Sequence, residues 1–447
     1  MTPANKWQEK DKQAVVLSGG GAFGAFEIGV LRALVQGKSP ATDHQSLDAE
    51  IFCGTSVGAY NAAVLASKWD LDPKDAVEHL EDLWLSRIAG SLADNGVLRI
   101  RGNVFEALDP REVLRRRGQQ FVEALSDAAY LSRDLARRLA YFFRSTESLT
   151  HRAIEMFDFS SLISTAPLKI LMHETLPFEE IQKSDKVLKI AATNWMTGEL
   201  RIFVHDPARK DVDWKEEEEE GLSESNWPDA VMASTAIPGT FPTVTLDGDQ
   251  YVDGGVVMNT PLKPAISAGA TTIHLICLNQ AVNRIPVDEG PPCTLGVFER
   301  LLSLVVSSTV EDDVGTARFI NKLIETGSLP KDNGKYRQIT IHRYNPAIAL
   351  GGLTGILDFR AESMRKRFGV GEHAAVEHDC EQEGCVIPGK PHHKSGALSR
   401  REPAVGELPM DLPGSELRSS SGEDSYLTGP GKPGAFRPSP PVPEPHE

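Results

Sequence analysis

Short apolar runs alternate with segments of helical periodicity along the first part of the chain. The first run, AVVLS at 14–18, is β-branched and almost wholly apolar, as is typical of a buried strand in a parallel sheet. A glycine-rich turn at 19–24 separates this run from 25–35, where apolar residues recur at helical spacing. A second unit repeats this order, with its strand, turn and helix at 50–53, 54–58 and 59–69.

Further apolar runs extend the pattern beyond these two units. Strands are predicted at 187–193, 200–204, 243–246, 272–278 and 338–344, and a long helix at 295–326. Strands that alternate with helices predict an α/β fold, in which helices cover both faces of a mostly parallel sheet. The chain of 447 residues is 40% hydrophobic and 25% charged, which is ordinary globular composition and sufficient for a sizeable core.

Charge and cysteine content exclude several classes of protein. The chain has 63 acidic and 47 basic residues and a net charge of −16. This balance argues against nonspecific nucleic-acid binding, because that affinity comes largely from lysine and arginine neutralising phosphates. Five cysteines are too few for a disulfide scaffold, so a reducing compartment is the default.

The apolar segments are too short to suggest export or membrane insertion. Residues 1–13 lack the apolar stretch of a secretory signal. The longest apolar-rich run, 301–310, is about half of the roughly 20 residues that cross a bilayer. We therefore expect a cytoplasmic protein without a signal peptide or transmembrane segment.

A basic segment at 104–165 interrupts the alternation of strands and helices. Nine arginines face five acidic residues between positions 111 and 152, and Leu114, Phe121 and Phe142 contribute to an apolar face. The segment is typical of a helical cap packed on the sheet. The alternative is an interfacial surface for anionic lipid headgroups, and so a peripheral contact with a membrane.

Two further segments are predicted to lie outside regular structure. Five adjacent like charges at Glu216–Glu220 predict a solvated loop. The composition shifts beyond residue 371 and becomes rich in Pro, Gly and Ser after Pro403, which predicts a disordered tail. The expected organisation is an N-terminal extension at 1–12, a folded domain at 13–370 and a tail at 371–447.

Cysteines and histidines near the predicted tail raise the question of a zinc site. The residues concerned are Cys380, Cys385, His373, His378, His392 and His393. Their spacing matches no compact ligand pattern, and the flanking sequence is typical of a loop. No metal is therefore expected.

Gly54-Thr55-Ser56-Val57-Gly58 is a G-x-S-x-G pentapeptide between a predicted strand and a predicted helix. In such an elbow, a sharp turn exposes the serine hydroxyl above the sheet, and the glycines remove Cβ atoms that would clash. The helix N-terminus then favours developing negative charge beside the serine. The alternative is that Ser56 is a simple helix N-cap.

The glycine-rich turn Gly19-Gly20-Gly21-Ala22-Phe23-Gly24 has two interpretations. Acyl transfer passes through an oxyanion, and glycine-rich backbone at a helix N-terminus supplies unobstructed N–H donors for it. The same residues satisfy the dinucleotide fingerprint G-x-G-x-x-G, which also requires an acidic residue at the end of the second strand. That strand ends in Phe52-Cys53, so the dinucleotide alternative is disfavoured.

Tyr251-Val252-Asp253-Gly254-Gly255 places a carboxylate before two glycines, which is compatible with a plain turn or with a carboxylate held in a cleft. A conventional triad would add a histidine downstream. The candidates, His274 and His342, lie within strand-like runs and are typical of packed strand residues. A partly dehydrated aspartate can itself accept a serine proton, so the sequence allows a Ser–Asp dyad without proving one.

Together these motifs resemble those of the patatin-like phospholipases, the lipid acyl hydrolases related to the plant storage protein patatin and to cytosolic phospholipase A. They occur in the family's order: GGGAFG at 19–24, GTSVG at 54–58, ASTAIPGTFP at 233–242, and DGG at 253–255 followed by Asn259 and Pro261. The resemblance runs from about Val15 to Leu278 and more loosely to about residue 370. It does not cover the tail or the details of the basic segment.

The resemblance implies a patatin-like three-layer α/β/α sandwich with a mostly parallel central sheet. It implies that Ser56 is a nucleophile and Asp253 its base, with no histidine, cofactor or metal. The implied oxyanion hole comprises backbone amides at Gly19, Gly20, Gly21 and Ala22, with Gly54 and Gly58 in the elbow and Gly254 and Gly255 in the DGG motif. Many members carry Arg or Lys where this chain has Phe23, but backbone donors should survive that change.

The expected function is hydrolysis of fatty-acyl esters of phospholipids or related lipids. The main alternative is a non-catalytic lipid-binding or scaffold protein with the same fold. The presence of Ser56, Asp253 and the glycine-rich turn together favours the enzyme, because a binding protein needs none of the three.

Overall fold

The computed structural model describes most of residues 11–390. Left out within that range are position 71 and residues 91–98, nearly all of 101–162, 210–217, 282–293 except Arg284, and 331–335. All described residues belong to one compact unit, Met1–Lys394. The basic segment and the tail beyond residue 390 therefore lie almost wholly outside the described residues.

A mostly parallel sheet forms the centre of this unit. Its strands are β1 Gln13–Leu17, β2 Ile51–Thr55, β5 Val187–Asn194, β6 Leu200–His205, β7 Glu219–Gly221, β8 Val244–Leu246, β9 Asp249–Asp253, β10 Thr272–Ile276 and β11 Thr340–Tyr344. The order is β11-β10-β1-β2-β5-β6-β7, and every pair from β11 to β5 is parallel. Strand β6 is antiparallel to β5, and β9 pairs antiparallel with β5 and β8.

Helices cover both faces of the sheet. They are α1 Ala25–Val35, α2 Val57–Lys68, α3 Pro73–Leu83, α4 Ala166–Thr175, α5 Phe178–Lys183, α6 Asp229–Ser234, α7 Leu262–Ser267, α8 Thr294–Glu325, α9 Gly352–Gly355 and α10 Ala361–Val376. One core joins α1, α2, α3 and α10 to one face, and a second joins α7 and α8 to the other. The three-layer α/β/α architecture and the predicted parallel sheet are thus confirmed.

Burial on both faces explains the apolar runs in the sequence. Residues 14–17 of β1 and 51–53 of β2 are fully buried, because alternate side chains enter the two different cores. A strand covered on both sides needs apolar residues at every position rather than every second one. None of the described helices has both the length and the apolar character that a membrane span requires.

The predicted boundary at residue 371 is wrong. Helix α10 runs through it to Val376, and described turns continue to Lys390. A Cβ at Gly371 would overlap the Phe26 backbone, and one at Gly29 would overlap that of Phe368. Gly29 and Gly371 let the backbones of α1 and α10 touch. This packing keeps Gly371 inside α10, although glycine on its own favours a helix end.

The predicted loop at Glu216–Glu220 is also partly wrong. Glu219 and Glu220 lie in β7, on the outer edge of the sheet beside β6. The Glu219 carboxylate accepts a 2.6 Å bond from Lys189 Nζ, whose side chain is only 3% exposed. Buried charge needs a partner, so part of the acidic run neutralises a lysine inside the fold.

A small separate pair of strands lies on either side of most of the basic segment. Strands β3 Arg99–Ile100 and β4 Ile163–Ser164 are antiparallel to each other and join no other sheet among the described residues. Residues 99–100 and 163–164 therefore lie side by side. An antiparallel pair closes a long insertion without altering the strand order of the main sheet.

Candidate active site

Strand β5 brings together two segments that are almost two hundred residues apart. Thr55, at the end of β2, pairs with Ala191, and Asp253, at the end of β9, pairs with Ala192. Strands β2 and β9 therefore lie end to end along the same side of β5. Ser56 follows Thr55 directly, so this register sets the serine beside the aspartate.

Ser56 occupies a strained elbow between β2 and α2. Its φ is +56° and its ψ is −127°, a conformation that non-glycine residues seldom adopt. A Cβ at Gly54 would overlap the Gly58 carbonyl, and one at Gly58 would meet the Leu17 carbonyl oxygen at 2.5 Å. The Ser56 side chain makes no cap hydrogen bond to α2, which excludes the N-cap alternative.

A second serine holds the elbow from below. The Ser56 N–H donates to Ser234 Oγ at 2.9 Å, and the Ser234 hydroxyl donates to the Ala191 carbonyl oxygen at 2.6 Å. Ser234 is fully buried, so these bonds are shielded from water. Ser234 was not among the predicted site residues, although it lies within the family-like ASTAIPGTFP segment.

Asp253 is buried beside the serine hydroxyl. It is 5% exposed, and burial raises its pKa to about 6, although a hydrogen bond with Ser56 and another from the Gly255 N–H act to lower it. The Gly255 N–H donates to Asp253 Oδ1 at 2.7 Å, which fixes the carboxylate at the start of a tight turn. A carboxylate in this state is a stronger base than one in water.

The glycine-rich loop lies against the same pair. A Cβ at Gly19 would come within 3.1 Å of Ser56 Cβ, so only glycine allows this approach. A Cβ at Gly255 would meet Asn259 Oδ1 at 2.8 Å, and one at Gly254 would overlap the Ala191 carbonyl. The predicted glycines thus permit close backbone contact around Ser56 and Asp253.

The four amides predicted for an oxyanion hole are not equivalent. The Gly19 N–H donates to the Asn259 carbonyl at 3.0 Å, and the Ala22 N–H donates to the Ile356 carbonyl at 2.8 Å. These two amides are therefore occupied, which contradicts their inclusion. Within the described residues the Gly20 and Gly21 N–H groups have no acceptor, so they are the amides available to a ligand.

Neither predicted histidine lies near Ser56. His274 Nδ1 contacts the Tyr344 hydroxyl at 3.0 Å, and burial lowers the pKa of His274 to about 3. Strand β1 separates its strand, β10, from β2. The register places His274 level with Phe52, which is four residues before Ser56. Strand spacing and rise then put it on the order of 15 Å from Ser56. His342 is one strand further away.

Comparison with known proteins bears on this arrangement. A family model for patatin-like phospholipases matches residues 15–266, which is more than half of the chain. The chain belongs to that family. It is a family of lipid acyl hydrolases, and the predicted family resemblance is confirmed.

Two individual matches to this member of the patatin-like phospholipase family are short or weak. The uncharacterized protein YjjU of Escherichia coli is 42% identical over 55 residues, which are 12% of this chain and 15% of that protein. The match thus spans far less than two thirds of that relative. The crystal structure of VipD from Legionella pneumophila aligns with 82% of this chain and 67% of its own, at 14% identity and a TM-score of 0.29. That similarity carries no functional argument.

Phe23, where many patatin-like phospholipases have a basic residue, contacts an arginine from elsewhere. The guanidinium carbon of Arg367, on α10, lies 5.1 Å from the centre of the Phe23 ring. Arg367 donates to the carbonyl oxygens of Ala22 at 3.3 Å and Gly355 at 3.0 Å. The glycine-rich loop of this family member is thus anchored by a buried arginine that the sequence analysis did not find.

Proposed function

We propose that this patatin-like phospholipase hydrolyses fatty-acyl esters, with Ser56 as nucleophile and Asp253 as its general base. The single observation that carries the proposal is the hydrogen-bonded pair of a strained serine and a buried carboxylate. The amides of Gly20 and Gly21 directly follow Gly19, which closely approaches Ser56, and have no acceptors of their own among the described residues. This combination supplies a nucleophile, a base and oxyanion donors.

In the first step, Ser56 Oγ attacks the ester carbonyl carbon as its proton passes to Asp253. The carbonyl oxygen becomes an oxyanion, which the Gly20 and Gly21 N–H groups stabilise. Each such donor contributes about 3–4 kcal/mol in other hydrolases. The tetrahedral intermediate then collapses, the proton passes from Asp253 to the leaving alcohol, and an acyl ester of Ser56 remains.

In the second step, water replaces the alcohol. The water oxygen attacks the acyl carbonyl carbon while Asp253 accepts a proton from the water. The Gly20 and Gly21 amides stabilise the second oxyanion. Collapse releases the fatty acid and returns the proton to Ser56 Oγ. Asp253 thus performs both proton transfers, and neither step requires a histidine.

A lipid substrate is supported by the family and by the surface beside the site. Trp195 and Met196 follow β5 and are 53% and 73% exposed, and Val256 and Val257 follow the DGG turn and are 55% and 46% exposed. Exposed apolar side chains are typical of surfaces that meet other apolar matter. Val256 and Val257 come within four residues of Asp253, so this apolar surface suits an acyl chain better than a water-soluble ester.

Two sequence-based predictions complete the proposal. Peripheral contact with anionic membranes through the basic segment stays a prediction, because that segment lies almost wholly outside the described residues. A cytoplasmic location also stays a prediction. The folded domain is proposed to extend from about residue 13 to Lys390, since described structure continues to that residue.

The proposal is tested with Ser56→Ala and the matched variant Ser308→Ala, which removes an exposed hydroxyl from α8. Hydrolysis of a p-nitrophenyl acyl ester and of phospholipid vesicles should fall to background in the first variant and persist in the second. A fluorophosphonate should add covalently to Ser56 in the wild type, as mapped by peptide mass spectrometry. Equal turnover in wild type and Ser56→Ala would refute the proposal, and turnover at background in both would favour a non-catalytic lipid-binding protein.

A further inference from the structure

Four side chains with metal-binding atoms converge beside the outer strand of the sheet, on the far side from Ser56. They are His342 on β11 and His378, Cys380 and Cys385 on the segment after α10. One donor atom from each lies within 4.8 Å of all the others. Cys380 Sγ is 3.5 Å from His342 Nδ1 and 3.4 Å from His378 Nε2, and Cys385 Sγ is 3.5 Å from His378 Nε2.

These separations fit a single tetrahedral ion. With zinc–sulfur bonds of about 2.3 Å and zinc–nitrogen bonds of about 2.05 Å, tetrahedral geometry separates a sulfur from a nitrogen by about 3.6 Å. The three measured separations are 3.4–3.5 Å. Three of the six separations among the four atoms thus match a coordination tetrahedron, and the other three are no more than 4.8 Å.

The backbone holds the ligands in place without a disulfide. Ile341 and Val386 exchange two backbone hydrogen bonds, at 2.8 and 2.9 Å, so the segment after Cys385 pairs with the edge of β11. The Cys385 N–H donates to the Cys380 carbonyl at 3.0 Å, which closes the turn between the two cysteines. Both cysteines are free thiols.

The surroundings suit two thiolates. The Arg343 N–H donates to Cys385 Sγ at 3.3 Å, and such N–H donors stabilise sulfur that carries negative charge. His378 is 7% exposed, and its Nε2 contacts both sulfurs and no other hydrogen-bonding atom of the described residues. Two thiolates, two neutral imidazoles and one divalent cation sum to zero charge, which lowers the cost of burial.

We propose that His342, His378, Cys380 and Cys385 bind a structural Zn²⁺ ion. The donor set of two thiolates and two imidazoles in a tetrahedron is the one that zinc favours. Four protein ligands leave no open position for water or substrate, so the ion has a structural rather than a catalytic role. It fastens the segment 377–390 to β11, the last strand on this side of the sheet among the described residues.

This cluster was not predicted from the sequence because it is assembled from two distant segments. Cys380, Cys385 and His378 were considered there with neighbouring histidines, whereas His342 lies 36 positions before His378 on a strand. The Cys380-x4-Cys385 spacing is itself within the range of structural zinc sites. The site is about three strand spacings from β2, or about 14 Å, so the zinc proposal does not depend on the acyl hydrolase proposal.

The test measures the metal content of full-length protein that has been expressed with added zinc and purified without chelators. Elemental analysis should give about one zinc per chain in the wild type and below about a tenth in Cys380→Ser and in Cys385→Ser. The matched variant His373→Gln, which changes an exposed histidine on α10, should keep its zinc. Replacement by Co²⁺ should give the intense visible ligand-field bands and the thiolate charge-transfer band of a tetrahedral site.

A stability measurement guards against variants that simply misfold. A strong chelator should lower the thermal midpoint of the wild type and of His373→Gln, and added Zn²⁺ should restore it. A wild-type protein without zinc and without a tetrahedral cobalt spectrum would overturn the proposal. So would mass spectrometry showing a Cys380–Cys385 disulfide in freshly isolated protein, or zinc retained in both cysteine variants.

Discussion

The burial of the Asp253 carboxylate should affect both hydrolytic activity and the free energy of unfolding. Burial raises its pKa from 3.8 to about 6. At 1.36 kcal/mol per pKa unit, this difference corresponds to about 3 kcal/mol. The free energy of unfolding should therefore fall between about pH 4 and pH 6, because the folded state keeps the proton that the unfolded chain has released. Above about pH 6 the ionised carboxylate destabilises the fold by this whole amount.

The substitution Asp253→Asn removes both the destabilisation by the buried charge and the proposed general base. The amide oxygen can still accept from Gly255, so the turn should survive. We expect the variant to lose hydrolysis by about 10²–10⁴-fold or more. At about pH 8 it should nevertheless be more stable than the wild type by about 1–3 kcal/mol, with the remainder lost through weaker hydrogen bonding to Ser56.

The assay is urea denaturation of wild type and variant at about pH 5 and pH 8, with tryptophan fluorescence as the measure of unfolding. The gain in midpoint should be larger at the higher pH. In parallel, wild-type kcat/KM should decline as the pH falls through about 6, because a protonated carboxylate cannot accept the serine proton. Asp249→Asn, on the exposed end of the same strand, serves as the control. A variant that keeps its activity, or that is no more stable at either pH, would refute this reasoning.

Two further predictions concern the residues around the site. Ser234→Ala should leave the Ser56 N–H without its buried acceptor, at a cost of about 1–3 kcal/mol. We expect kcat to fall roughly tenfold to a hundredfold with little change in KM, and an unchanged kcat would show that the elbow needs no such support. Glu219→Gln should strip the buried Lys189 of its counter-charge and destabilise the fold by about 3–5 kcal/mol in urea denaturation, whereas Glu218→Gln, in an exposed pair, should cost less than about 1 kcal/mol. Equal effects in these two variants would contradict the argument.

Much of the fold could be predicted because local pattern and tertiary role agree. The run 14–18 is apolar at nearly every position since the strand is buried on both faces, and α1 has the bounds that its periodicity predicts. The serine elbow could be predicted for a similar reason. Gly54 and Gly58 are required by contacts within a few residues of Ser56 and with the neighbouring strand.

What could not be predicted depends on partners far away in the sequence. No local pattern shows that β9 continues the line of β2, or that the Gly19 and Ala22 amides are already bonded to Asn259 and Ile356. The same holds for Glu219, whose run of like charges favours a loop until Lys189 is known to lie beneath it. Glycine at position 371 favours a helix end in the sequence, but close packing on α1 keeps it within α10.

The end-to-end arrangement of β2 and β9 along β5 has a consequence for synthesis of the protein. On the mechanism proposed above, the first two hundred residues contain the nucleophile Ser56 but not its base Asp253, which β9 brings to it. Fragments of that length are expected to lack lipid hydrolysis. Cleavage that detaches β9 is likewise expected to abolish activity while leaving Ser56 intact.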